Sequence, residues 1–210
     1  NTVNNTLTNV VIDGAQITDN IANIGAGICL ADAKYGYNSH IVEIVSATIY
    51  ENTAMAVASG KVVGGGIAVN GGTLLVKGGT ISNNTSESDG DDLYINSIGA
   101  TDFAKASITG GTVGTTGVDA DIYVCQYGEL TLIRNYVIND NVTLATGAYI
   151  RVTEAINSES VVTIVPVTYP ATGSQLKVVE FATGLVCSTE KFDIVEEKKT
   201  NYRLKAIDQI

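Results

Sequence analysis

Ile17-Thr18-Asp19-Asn20, Ile49-Tyr50-Glu51-Asn52 and Ile81-Ser82-Asn83-Asn84 are copies of one phrase, each 32 residues after the last. A degenerate copy, Val113-Gly114-Thr115-Thr116, keeps the same step, and a fifth, Ile138-Asn139-Asp140-Asn141, comes after 25. A second phrase interleaves with the first. It reads Gly25-Ala26-Gly27-Ile28 and Gly64-Gly65-Gly66-Ile67, with weaker echoes at Asp91-Asp92-Leu93 and Asp121-Ile122. Short apolar stretches returning at a fixed period, with Gly and Asn between them, are the signature of a solenoid whose units are strands.

The composition agrees. Gly is abundant at 22 residues, Pro is scarce at 2 and Trp is absent, and no stretch shows sustained 3.6-residue apolar periodicity. That combination favours strands and turns over helices. A net charge of −10 argues against nucleic acid or an anionic membrane surface as partners, because both need clustered Lys and Arg. No run of about 18 apolar residues is present, so no membrane insertion by this segment is expected. With no initiator Met and no signal peptide, the chain reads as a mature or excised segment of something longer.

Aligned on the glycine phrase, one strand per turn falls at Ile28–Leu30, Ile67–Val69, Leu93–Ile95, Ile122–Val124 and Tyr149–Val152. A second strand per turn falls at Ile41–Val45, Thr73–Val76, Ala106–Ile108 and Leu130–Ile133, and the Ile-x-x-Asn phrase is the third. Alternation sets the faces: Ile67 and Val69 point inward around Ala68, and Leu93 and Ile95 around Tyr94. The expected fold is all-β, a right-handed parallel β-helix of about five coils spanning 1–157. Residues 158–210 are expected to form a C-terminal β cap, or the junction to a following module. Within that segment Val161–Val167 and Leu176–Phe181 read as strands, and Lys191–Glu197 with Tyr202–Ile207 as a hairpin. Insertions at Asp32–His40, Thr53–Val63 and Asn96–Lys105 should protrude as loops, where recognition concentrates.

The Gly-Gly-Gly-Ile phrase at 64–67 and its kin, together with Ile-x-x-Asn, resemble the repeats of the polymorphic outer-membrane proteins of chlamydiae. They also resemble related β-helix adhesin-like proteins of gut bacteria and archaea. Here Ile stands at 17, 49, 81 and 138, where the chlamydial repeats carry Phe, so the likeness is to the wider class and covers residues 10–150. It implies a right-handed parallel β-helix on a cell-surface or secreted protein, used in adhesion or as a stalk. The tail from Phe192 to Ile207 is similar to terminal segments of Gram-positive surface proteins.

Three groups of side chains are candidate sites. Tyr94, Tyr123 and Arg151 fall on outward positions of the first strand in consecutive coils, a stacked stripe on which a sugar ring could lie. Loop residues Tyr35, Tyr37 and His40 are candidates for recognition. Asp89, Asp91 and Asp92, with Asp119 and Asp121 one coil later, form an acidic corner whose hard oxygens suit Ca²⁺; the alternative is a solvated acidic turn, and no cofactor is otherwise expected. Asn20, Asn52, Asn84 and Asn141 should stack as a structural ladder that satisfies corner backbone groups. Cys29 and Cys125 should lie about three rungs apart, roughly 14 Å and beyond disulfide reach, so the cysteines, Cys187 included, are expected to be free.

Hydrolysis of a glycosidic bond needs two carboxylates at a set separation, and the outward first-strand positions offer none. The expected function is therefore a non-catalytic extracellular or cell-surface module, adhesin-like or a stalk. Its partner would be a protein or glycan of a host or neighbouring cell, with self-association open if an end of the solenoid is uncapped. Carbohydrate binding through the tyrosine stripe is the first alternative, and a polysaccharide lyase or glycoside hydrolase the second.

Overall fold

The computed structural model describes residues 9–30, 40–96, 104–115, 122–139, 141–157, 159–169, 171, 175–183, 185 and 191–194, with the backbone of 203–208. Strands and turns make up these segments, with no α-helix among the described residues. Every strand pairing among them is parallel. Parallel neighbours cannot be joined by a tight hairpin; here the rest of each turn is the crossover, so successive passes of the chain stack on one another.

The first sheet holds seven short strands in chain order: Ile28–Leu30, Ile67–Val69, Leu93–Ile95, Ile122–Val124, Asn141–Leu144, Val162–Pro166 and Phe192–Ile194. Its register places Ile28, Ile67, Leu93, Ile122, Val142 and Ile164 in one column. All but Ile28 are buried. Burying a side chain of this size stabilises by about 2 kcal/mol, and each does so only because its neighbours in the column cover it. At the N-terminal end Ile12, Ile17 and Ile28 are only partly covered.

The second sheet has eleven strands and merges what the sequence divides into two. Ile41–Tyr50 is one continuous strand. It pairs with Asn9–Thr18 on one side, and on the other first with Thr73–Val76 and then with Thr80–Ser82. The bend between those two partners sits at Gly78-Gly79, where Gly79 has φ +84° and a Cβ would come 2.2 Å from the Ala47 carbonyl oxygen. Only glycine fits so close an approach. Beyond it the phrase residues align as expected from the 32-residue step, Ile17 beside Ile49, Ile81, Val113 and then Ile138. A third sheet consists of two-residue strands, Ile21–Ala22, Thr53–Ala54 and Thr85–Ser86.

The ladder forms at the corner between the second and third sheets. The side-chain Nδ2 of Asn52 donates to the carbonyl oxygens of Ile17 (2.9 Å) and Tyr50 (3.0 Å) and to Oδ1 of Asn84 (2.9 Å). Asn84 repeats the pattern toward Ile49 (3.0 Å) and Ser82 (3.1 Å). In each phrase the residue before the asparagine, Asp19, Glu51 or Asn83, is left-handed, with φ of 59°, 55° and 55°. That conformation turns the asparagine inward.

Two expectations are corrected. Asn141 opens a first-sheet strand beside Thr163. The fifth phrase leads straight into that strand, whereas Asn52 and Asn84 each lead into a third-sheet strand. The chain therefore reaches its next sheet early, and Ile150–Ile156 lies in the second sheet between Glu129–Arg134 and Gln175–Phe181. The Tyr149–Val152 strand expected in the first sheet is this one. The hairpin near the C-terminus does not form either. Phe192–Ile194 extends the first sheet beside Val162–Pro166, and Arg203–Asp208 extends the second beside Gln175–Phe181.

Asn84→Ala should destabilise the fold by about 3 kcal/mol or more, because it strands buried carbonyl and amide partners. Asn20→Ala, at the exposed end of the ladder, should cost less than about 1 kcal/mol; urea midpoints of the two variants check this. Tyr136 is fully buried, and that burial pushes its hydroxyl pKa from the ordinary 10 up to about 12. Between those values the unfolded chain loses the phenolic proton while the folded chain holds it. Stability present below pH 10 is thus lost as pH rises through about 12. Alkaline melting of Tyr136→Phe should show a shallower fall over that window than the unsubstituted chain.

Candidate functional site

The expected stripe on the first sheet is covered rather than open. Tyr94 and Tyr123 do sit on adjacent strands, their rings stacked at 5.7 Å and 18°. Tyr94, however, is only 1 % exposed. Val63, on the chain leading into Ile67–Val69, packs with Ala68 and Tyr94, joined by Ile24 and Cys125. Lys61 lies 4.4 Å from the Tyr94 ring centroid and donates to its hydroxyl, and the Cys125 thiol donates to the same oxygen at 2.9 Å. Burial, then the Cys125 contact and the nearby Asp89, push the Tyr94 hydroxyl far up. Burial likewise raises the Cys125 thiol, against a lowering by Tyr94. No face of Tyr94 is left for a ligand.

Two residues of the acidic corner, Asp91 and Asp92, are likewise part of the fold. Oδ1 of Asp92, a residue 1 % exposed, accepts from both nitrogens of Asn84, the backbone at 3.2 Å and Nδ2 at 2.7 Å. Asp92 thus carries the hydrogen-bonded ladder on from Asn84. Asp91 accepts from the Ser86 backbone N–H at 2.5 Å, and Asp89 bridges to Val63. Asp119 and Asp121 lie outside the described residues, as do Tyr35, Tyr37 and Cys187. Among the described residues no three His, Cys, Asp or Glu side chains gather as metal ligands. His40 is half-buried at the entry to Ile41–Tyr50, where its carbonyl accepts from the Thr73 N–H at 2.9 Å. Cys29 and Cys125 are free thiols.

Arg151 is on the other sheet from the tyrosines, and there the structure gathers charge and aromatic surface. Its guanidinium reaches Glu129 on one neighbouring strand at 3.7 Å and Glu180 on the other at 3.5 Å. It also donates to the Tyr149 hydroxyl at 3.2 Å. That bond raises the Arg151 pKa most, burial opposes it, and Glu129 and Glu180 add to the rise. Lys177 lies 3.4 Å from the Tyr149 ring centroid and pairs with Glu180 at 2.5 Å. Cations held over an aromatic face in this way are attracted by its quadrupole.

Beside this cluster, at the corner between the two large sheets, is a cleft of about 230 Å³ lined by Gln126, Tyr127, Gly128, Glu129, Gly147 and Tyr149. Two stacked turns build it. In one the Gly128 N–H donates to the Cys125 carbonyl at 2.9 Å, and one pass later the Ala148 N–H donates to the Ala145 carbonyl at 2.9 Å. The sequence carries a signal for this corner in the paired stretches Gln126-Tyr127-Gly128-Glu129 and Thr146-Gly147-Ala148-Tyr149. Assigning Tyr149–Val152 to the first sheet hides it.

Comparison of the chain with protein-family models, curated proteins and solved structures finds no match. The functional reading therefore rests on the chemistry of these sites.

Thiol alkylation at pH 8 should modify Cys29, which is exposed, at least about tenfold faster than Cys125, whose thiol is engaged by Tyr94. Peptide mapping at successive times reads the two rates.

Proposed function

We propose that this chain is a non-catalytic module of an extracellular or cell-surface protein, adhesin-like or a stalk. In this reading it is a right-handed parallel β-helix of about five coils. One observation carries the proposal: parallel pairing links pass to pass from Asn9–Thr18 to Arg203–Asp208. With the ladder clamping one corner, such a stack makes a stiff body that holds loops and outer faces at fixed positions, which suits presentation and spacing. The insertion expected over 53–63 starts as the third-sheet strand Thr53–Ala54 and ends at buried Val63, which leaves 55–62 as the presented loop. Asn23 accepts from the N–H groups of Val57 (3.2 Å) and Ala58 (3.0 Å) and donates to the Ala58 carbonyl at 2.7 Å. The loop thus has a set shape, with Val57 63 % exposed on it. Two of the acidic residues that an enzyme reading would recruit at the corner are engaged in the fold, Asp92 with the ladder and Asp91 with Ser86.

The test is incubation with host and plant polysaccharides and with immobilised extracellular-matrix proteins, scoring retention and product release together. Retention without product is the expected outcome. Release of shortened oligosaccharides would overturn the non-catalytic reading and direct attention to Glu129 and Glu180.

A further inference from the structure

We infer that the cleft between Tyr127 and Tyr149 is a binding subsite for one uncharged pyranose ring of a glycan. The inference deepens the proposed function and rests on its non-catalytic reading. Size is the first argument. At about 230 Å³ the cleft falls below the roughly 300–1,000 Å³ of sites for drug-sized ligands, and is scaled to a single sugar ring.

Surface chemistry is the second. A pyranose presents an apolar face of C–H groups and a rim of hydroxyls, and asks for an aromatic surface beside fixed acceptors and donors. Tyr127 is 40 % exposed and supplies such a surface, and Tyr149 lines the opposite turn. Glu129 supplies a carboxylate able to accept from two neighbouring hydroxyls, and the exposed Gln126 amide can both donate and accept. Arg151 beside Glu129 holds that carboxylate in place.

Charge selects among sugars. The one ionisable carboxylate lining the cleft is Glu129, and no cation is among its lining residues. Arg151 pairs with both Glu129 and Glu180, and Lys177 with Glu180. The chain as a whole carries −10. A uronate or sulfated sugar would meet the Glu129 carboxylate while Arg151 and Lys177 are already paired with carboxylates, whereas a neutral hexose meets no such repulsion. Rigidity is the last argument. Both turns are closed by backbone hydrogen bonds, and a Cβ at Gly128 would come 2.7 Å from the Ile95 carbonyl oxygen. The cleft is therefore set before a ligand arrives, which lowers the ordering cost of binding.

Affinity electrophoresis through gels containing galactomannan, xyloglucan, dextran or polygalacturonate tests this. Retardation is expected in at least one neutral polymer and not in polygalacturonate. Tyr127→Ala and Glu129→Gln should each weaken that retardation by about tenfold or more. Tyr127 is exposed, so Tyr127→Ala should melt with the unsubstituted chain, separating lost binding from lost fold. No retardation in any neutral polymer would overturn the inference while leaving the scaffold reading intact. So would retardation that both variants preserve, or retention by polygalacturonate. Cleavage of a polymer that is retained through Tyr127 would support the subsite and overturn the non-catalytic reading.

Discussion

Everything in this molecule depends on one constraint: each pass of the chain leaves a row of backbone N–H and C=O groups that only the next pass can satisfy. Across the two large sheets the strands do this directly. At the corner between the second and third sheets the chain turns too sharply for strand pairing alone. There Asn52 and Asn84 reach from one pass to the next, each taking a carbonyl of its own pass and one of the neighbouring pass. The arrangement works only in a fixed register from pass to pass, which the phrase keeps as it returns every 32 residues from Ile17 to Val113. Beside Asn84, one oxygen of Asp92 accepts two N–H groups at once.

A stack of this kind has few free surfaces, and the chain that covers each one decides what the protein can do. The first sheet is partly roofed by its own chain, because the glycine phrase brings residues such as Val63 back across the outward positions. Tyr94 is thereby turned into part of a small second core, fastened by Lys61 and Cys125. The other large sheet carries its aromatic residues at a corner, where two stacked turns leave a gap between Tyr127 and Tyr149. The same residue types thus have opposite consequences on the two faces, set by whether a loop passes over them.

Much of the fold is legible along the chain. The Ile column from Ile17 to Ile138 and the first-sheet column from Ile28 through Ile122 occupy the registers that the phrases indicate. Asn20, Asn52 and Asn84 are where a ladder requires them. Asn141 has the same phrase around it and a different fate, because the residues on the C-terminal side of an asparagine matter as much as those on its N-terminal side. After Asn84 there is room for Thr85–Ser86 to pair in the third sheet; at Asn141 a first-sheet strand begins at once. That omitted corner shifts the strands after it, and it is why Arg151 stands with Glu129 and Glu180 rather than with Tyr94 and Tyr123.

By itself the sequence determined the strand-based solenoid, the period and the inward columns. Those come from local alternation and from a repeat that must match itself to stack. It also determined free Cys29 and Cys125, since residues separated by several passes are held apart by the strand spacing. Only the tertiary structure decided which outward residues stay accessible. Exposure depends on loops that cross from other passes, and on corners whose length no repeat phrase records. Lys61 and Val63 close one tyrosine face, while the turns at Gly128 and Gly147 hold another open.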